Sequence, residues 1–432
     1  MRSNIIPIMG AIKFLALAGC LALAQAEVKS WPTLDGSTRE ILAIDQRVVV
    51  LRCGTIGEVS KDLTFTWRKN GKPLEINHKT VMSPNTQRST ITIPPKSIYP
   101  DAEPEGTYHC MLETPAGIAS SGPMIVKKGF LEAPKVEAKR HTPVEGEPFE
   151  LDCPEVKAYP KPSIVWMYQL GSDPNISHTI LDRRITTGPN GKLYFSNVTE
   201  EDTSDNFKYV CMASSPAVDK AVPLAAHYII GVKKNPKTGF QPLVPQYVSK
   251  EVTAKAGDDT FLYCIFGGTP LAYPEWYYKG TDMENGPNDR VTSHNRSSGK
   301  RLLIRDTRVS DEGTYYCHVV DSQGKNTSNP INLKVVSAPT FVKKPEPKLL
   351  VAEGQDVTIP CQVQGVPKAT ITWTYNAQPL KSDSRVTTKP TDNASELQIK
   401  KIQKSDQGYY GCTATNENGV VYAESLVNIP SL

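Results

Sequence analysis

The chain has 432 residues, of which 39% are hydrophobic and 22% charged. A chain this long outgrows one ordinary core and predicts two to four domains. Its 49 basic and 45 acidic side chains leave a net charge of +4, which excludes the strongly basic face of a nucleic-acid binder.

Residues 1–26 read as a signal peptide. Arg2 and Lys13 precede an apolar run from Phe14 to Ala24, and Ala24-Gln25-Ala26 is a small-residue cleavage pattern. The run is about half of the roughly 20 residues that span a bilayer, so cleavage near Glu27 is expected rather than anchoring. Losing Arg2 and Lys13 lowers the net charge to +2, and Cys20 leaves with the segment. The end, Asn428-Ile429-Pro430-Ser431-Leu432, carries neither an apolar span nor a lipid-anchor signal, so release into extracellular fluid is expected.

Eight cysteines remain: Cys53, Cys110, Cys153, Cys211, Cys264, Cys317, Cys361 and Cys412. Although 105 pairings are conceivable, the cysteines fall in four successive pairs separated by 57, 58, 53 and 51 residues, the spacing of a bridge between the two sheets of an immunoglobulin-type sandwich. Pairing in order is therefore expected. Each closed loop would contribute about 4 kcal/mol in the chain-entropy picture and would persist only in an oxidising compartment.

First cysteines recur at steps of 100, 111 and 97 residues, which predicts four domains. Domain 1 (27–128) holds Cys53, Trp67 and Gly106-Thr107-Tyr108-His109-Cys110, with Asn70-Gly71 as a type I′ hairpin signal. Pro104 stands where a corner aspartate is expected, and Trp31 lies outside the repeat, placed to plug an end of the sandwich. Domain 2 (129–232) holds Cys153, Trp166 and Tyr209-Val210-Cys211. Counting back from Cys211 makes Asp205 its corner acid; counting forward from Leu193-Tyr194-Phe195 makes it Asp202, with Thr203 to Asp205 inserted.

Domain 3 (243–336) holds Cys264, Trp276 and Asp311-Glu312-Gly313-Thr314-Tyr315-Tyr316-Cys317, and domain 4 (337–432) holds Cys361, Trp373 and Asp406-Gln407-Gly408-Tyr409-Tyr410-Gly411-Cys412. Arg290 and Arg385 are placed to pair with the corner acids Asp311 and Asp406. The joins between domains 1 and 2 and between 3 and 4 are short and apolar. Residues 233–242, rich in Lys, Pro and Gly, make a longer hinge that lets the chain fold back, domain 1 beside 4 and 2 beside 3.

No catalytic constellation appears. The seven histidines are scattered, without a His-Glu-x-x-His pair, and no Gly-x-Ser-x-Gly elbow occurs. With every mature cysteine bridged, thiol catalysis and cysteine-ligated zinc lack ligands. Neither an enzyme nor a cofactor is expected; the sequence does not decide whether adhesion uses calcium.

These features together, four sandwiches, a long middle hinge, a signal peptide and no anchor, resemble the hemolin family of secreted insect immune proteins. Its domains are similar to the first four of the L1/neuroglian adhesion molecules. The segment Ser196-Asn197-Val198-Thr199-Glu200-Glu201-Asp202-Thr203-Ser204-Asp205 is similar to domain 2 of that group, insertion included. The resemblance covers the whole mature chain and implies I-type domains folded back as a horseshoe. It also implies binding to bacterial lipopolysaccharide and lipoteichoic acid, attachment to hemocytes in the hemolymph, and homophilic adhesion. The alternative is a soluble neural-type adhesion or guidance protein with protein ligands only.

Five Asn-x-Ser/Thr sequons occur, at Asn175, Asn197, Asn295, Asn326 and Asn393. Asn197 and Asn326 are expected to be exposed. A phosphorylated, acylated sugar needs cations and an apolar surface. Candidate cations are Arg183, Arg184 and the hinge residues Lys233, Lys234 and Lys237, with Lys127-Lys128 weaker. One of the two arginines is also the natural partner of the domain 2 corner acid.

Overall fold

The computed structural model describes residues 31–57, 63–75, 81–84, 87–171, 176–204, 206–236, 239–282, 289–293 and 298–430. The signal segment, Asp205, Lys237, Asn175 and Asn295 lie outside them. Among the described residues there is no α-helix, only strands and three short 3₁₀ turns, and no helix long and apolar enough to cross a membrane.

Strands arise where apolar and polar residues alternate. In Val357–Val366, Val357, Ile359, Cys361 and Val363 are buried while Thr358, Gln362 and Gln364 face solvent. Period-2 side chains place one set against the facing sheet. Four such sandwiches result, each with its own buried cluster. Disulfides join Cys53 to Cys110, Cys153 to Cys211, Cys264 to Cys317 and Cys361 to Cys412. In each domain an early strand pairs in parallel with the last one, as Arg39–Ala43 does with Met124–Lys128 and Lys348–Leu350 with Gly419–Asn428. This covers an edge that would otherwise offer unpaired backbone groups.

The tryptophan beside each bridge is buried and its indole N–H is satisfied: Trp67 and Trp373 donate to the hydroxyls of Ser89 and Ser395, Trp166 and Trp276 to the carbonyls of Gly191 and Gly299. The corner tyrosines share one bond. Tyr315 and Tyr410 donate to the carbonyls of Asp311 and Asp406, four residues upstream. Tyr108 does the same to Pro104 at 2.8 Å. Proline has no backbone N–H but keeps its carbonyl, so the domain 1 corner retains this bond despite its unusual residue.

In domain 2 the bond runs from Tyr209 to the carbonyl of Asp202, seven residues upstream. The corner acid is therefore Asp202. Asp202, Asp311 and Asp406 each end a 3₁₀ turn and accept the backbone N–H of Thr199, Arg308 and Gln403 respectively. Arg184, Arg290 and Arg385 pair with them at 2.8–2.9 Å. Asn70 and Gly71 both have positive φ and connect Thr64–Lys69 to Lys72–Pro73. Trp31 packs, partly buried, against the domain 1 core.

The joins differ in construction. Domains 3 and 4 share one strand, Asn326–Lys343, which pairs with Gly313–Val320 in the first and Val357–Val366 in the second. Domains 2 and 3 are connected by the hinge and fold back on each other, so the chain forms a horseshoe. Residues 31–432 make one compact unit.

Candidate recognition surfaces and the interfaces that set them

The horseshoe is closed by two interfaces. Between domains 1 and 4, the Tyr409 hydroxyl donates to the Pro32 carbonyl at 2.7 Å, and the Ile118 N–H donates to Asn376 Oδ1 at 3.2 Å. Tyr409 and Leu426 of domain 4 complete the domain 1 core. Ser120 donates its N–H to Glu424, which is buried and also accepts from the Tyr422 hydroxyl at 2.7 Å. Burial raises the pKa of Glu424 to about 8, against the opposing effect of both hydrogen bonds.

Between domains 2 and 3, Gly268 is held from both sides: its N–H donates to the Ser196 carbonyl at 2.7 Å, and its carbonyl accepts from Asn197 Nδ2 at 3.0 Å. Thr269 Oγ1 donates to the Gly146 carbonyl at 2.9 Å. Gln246 Nε2 bridges the carbonyls of Phe149 and Phe195. Lys300, buried in domain 3, donates its ammonium to the Arg183 carbonyl. Burial lowers the Lys300 pKa to about 8.

Two expectations are corrected here. The first is Asn197, expected exposed, which is 8% exposed because domain 3 covers it. By contrast Asn326 is exposed at the start of its strand, and Asn393 is half-buried in a hairpin turn, its Oδ1 accepting from the Ala369 N–H.

The second concerns Arg184 and Lys234, expected as cations of one patch with Arg183, Lys233 and Lys237 but engaged by acids of domain 2. Arg184 makes a two-pronged pair with Asp202 at 2.9 and 3.1 Å and a further bond to Asp182 at 2.6 Å. Burial opposes its charge, but the hydrogen bonds and field of Asp202 and Asp182 raise its pKa overall. It serves the domain 2 corner. Lys234, although 71% exposed, reaches Glu200 at 2.5 Å and Glu145 at 3.6 Å. Lys233 bridges to Val144 through its backbone, and Asn235 Nδ2 donates to the Glu145 carbonyl. This half of the hinge is fastened to domain 2 by Glu145, Glu200 and the Val144 backbone. Lys127 likewise pairs with Glu40 and sits over the Tyr159 ring.

Arg183 is different. Its guanidinium makes no ion pair with a described residue, and it lines a cleft of about 650 Å³ between domains 2 and 3. Val165, Ile180, Leu181 and Ile185 supply an apolar wall, with Leu181 75% exposed, and Arg301 lies on the domain 3 side. Arg183 also borders a neighbouring cavity of about 380 Å³, lined by Tyr273, Glu275, Ser293 and Ser298. The cleft combines cations and apolar surface with the carboxylate of Asp182, which is paired to Arg184. Sequence reasoning missed Arg301 because only folding back brings it to domain 2. No cluster of His, Cys, Asp or Glu able to hold a metal occurs among the described residues.

An immunoglobulin I-set domain model matches residues 244–335 and 339–429. Hemolin of Manduca sexta is 43% identical over 415 residues, covering 96% of this chain and 98% of that one. Neuroglian of Drosophila melanogaster is 35% identical over 388 residues, 88% of this chain but 29% of its own length. The crystal structure of the insect immune protein hemolin, described as a new domain arrangement with implications for homophilic adhesion, superposes with a TM-score of 0.80 at 43% identity. It covers 93% of this chain and 100% of that one. From its four bridged sandwiches, its fold-back and this likeness along nearly its full length, the chain belongs to the hemolin family of immunoglobulin-type adhesion and immune proteins.

Proposed function

We propose that this chain is a secreted, non-enzymatic recognition and adhesion factor of insect hemolymph. It binds bacterial lipopolysaccharide and lipoteichoic acid through the domain 2–3 cleft, and hemocyte surfaces and copies of itself through other faces. The observation that carries this reading is the cleft itself. Arg183 and Arg301 line it and supply positive charge for phosphate, Arg301 while stacked on the Phe261 ring, and the wall of Val165, Ile180, Leu181 and Ile185 suits acyl chains. Two separate surfaces on one horseshoe would give avidity without chemistry.

The test is titration of purified protein with lipopolysaccharide and with its dephosphorylated form, at low and high salt. Binding should require phosphate and weaken with salt. Arg183→Ala should reduce affinity by about tenfold, the scale of one charge-assisted contact, while Lys234→Ala should leave it unchanged. Equal affinity for both forms, or none for either, would overturn the reading. A second reading, adhesion through protein ligands only, draws support from the 35% identity to neuroglian; it predicts self-association with no response to either lipid.

A further inference from the structure

Asn197 belongs to an Asn-Val-Thr sequon, yet its side-chain nitrogen is a structural donor across the domain 2–3 interface. Nδ2 donates to the Gly268 carbonyl at 3.0 Å and lies 3.3 Å from Thr269 Oγ1. Domain 2 fixes the asparagine's backbone from behind: Arg184 donates to the Asn197 carbonyl at 3.0 Å, and the next residue, Val198, is buried and donates its N–H to Glu147. The side chain therefore has one direction to point, toward domain 3, and is 8% exposed. A sugar on Nδ2 would remove one of its two N–H groups and place a bulky, hydrated group where Gly268 packs.

We propose that a glycan on Asn197 and closure of domain 2 on domain 3 are mutually exclusive, so that occupancy of this sequon divides the protein into a closed and an open form. The chemistry is ordinary N-glycosylation. Asn197 Nδ2 attacks C1 of an oligosaccharide carried on a lipid pyrophosphate. The Nδ2–C1 bond forms, the C1–O bond to pyrophosphate breaks, an amide proton is lost to a base, and the lipid pyrophosphate leaves.

Chain order gives that reaction its opportunity. Gly268 lies 71 residues downstream of Asn197. At about 5–20 residues per second of synthesis, Asn197 precedes its cover by about 4–14 s. Modification is decided before domain 3 exists to compete for the nitrogen. Once domain 3 has docked, an unmodified Asn197 is shielded, and a modified one cannot dock. Asn326, exposed on its strand, has no such conflict.

The experiment uses the full chain secreted from insect cells, fractionated by sedimentation velocity, with each fraction mapped for sugar at Asn197 by peptide mass spectrometry. Thr199→Ala abolishes the sequon while keeping the asparagine, and Asn197→Gln is the second variant should the first disturb the adjoining turn. Molecules bearing sugar at Asn197 are expected to sediment as extended chains, unmodified ones as compact chains, and Thr199→Ala as wholly compact. The proposal is overturned if secreted protein carries no sugar at Asn197, or if modified molecules are as compact as the Thr199→Ala variant.

Discussion

Glu424 accepts the backbone N–H of Ser120 at 3.0 Å, a contact between residues 304 apart that closes domain 4 on domain 1. The other group facing this carboxyl is the Tyr422 hydroxyl, and among the described residues no cation reaches it. Its pKa is raised to about 8 from 4.5, so the folded state holds a proton that the unfolded or opened state releases. Stability contributed by this group is fully present below pH 4.5 and declines as pH rises toward about 8, by about 1.4 kcal/mol per pH unit. The closed horseshoe should loosen as pH rises from 4.5 to about 8, seen as a growing radius of gyration in solution scattering. Glu424→Gln keeps the shape without the charge and should flatten that response; a wild-type radius constant over the range would refute the idea.

The Arg184–Asp202 pair predicts a stability effect separate from recognition. Side-chain exposures of 15% and 3% put the pair in the class of buried ion pairs. Removing one partner from such a pair typically costs about 3–5 kcal/mol, because the other charge is left stranded. Arg184→Met should lower the denaturant midpoint of domain 2 accordingly, while lipopolysaccharide affinity per folded molecule stays within about twofold. A large loss of affinity at unchanged stability would return Arg184 to the binding surface.

Acid should weaken domain 2. His141 Nε2 and His227 Nδ1 lie 2.9 Å apart, and His227 Nε2 meets the Asp152 carbonyl at 2.9 Å. Only one proton fits between the two rings, and burial lowers both pKa values below 6.5. The unfolded chain therefore binds more protons in this range. The pair's contribution is intact above pH 6.5 and is lost as pH falls through the lowered folded values. Thermal unfolding at pH 7.5 and pH 5 should show the domain 2 transition moving down, by about 4–8 °C for each kcal/mol lost. His227→Gln should remove most of this difference; an unchanged difference would place the acid sensitivity elsewhere.

Gly267 offers a wedge into the domain 2–3 interface. A Cβ there would lie 2.5 Å from Pro148 Cβ, a contact with a stiff ring that something must move to relieve. Gly267→Val in the Thr199→Ala background, which carries no sequon at Asn197, should leave all four disulfides formed yet yield an extended particle in sedimentation. It is thus a glycan-free reference for the open form. A compact Gly267→Val protein with native stability would mean that the interface yields more easily than its packing indicates.

What could be read from the residues was the part of the structure made by short-range pattern. The cysteine, tryptophan and tyrosine frame, the alternating strands and the Asn70-Gly71 turn each follow from spacing within one sandwich. Even the insertion in domain 2 was legible, although two counts competed there. The bond from Tyr209 to Asp202 decided between them, because a buried hydroxyl must find an acceptor and this one finds the Asp202 carbonyl.

The functional surfaces were decided by distance in the chain. Lys234 reads as a free hinge cation until folding brings Glu145 and Glu200 beside it, and Asn197 reads as an exposed acceptor until Gly268 arrives from 71 residues away. Glu424 looks like any strand residue facing solvent until domain 1 covers it. Each sandwich writes its own interior into local periodicity, since burial there follows from alternation along a strand. Which outer faces become interior depends on how two finished sandwiches meet. That meeting is fixed by shape and polar complementarity between surfaces far apart in sequence, and no local pattern encodes it.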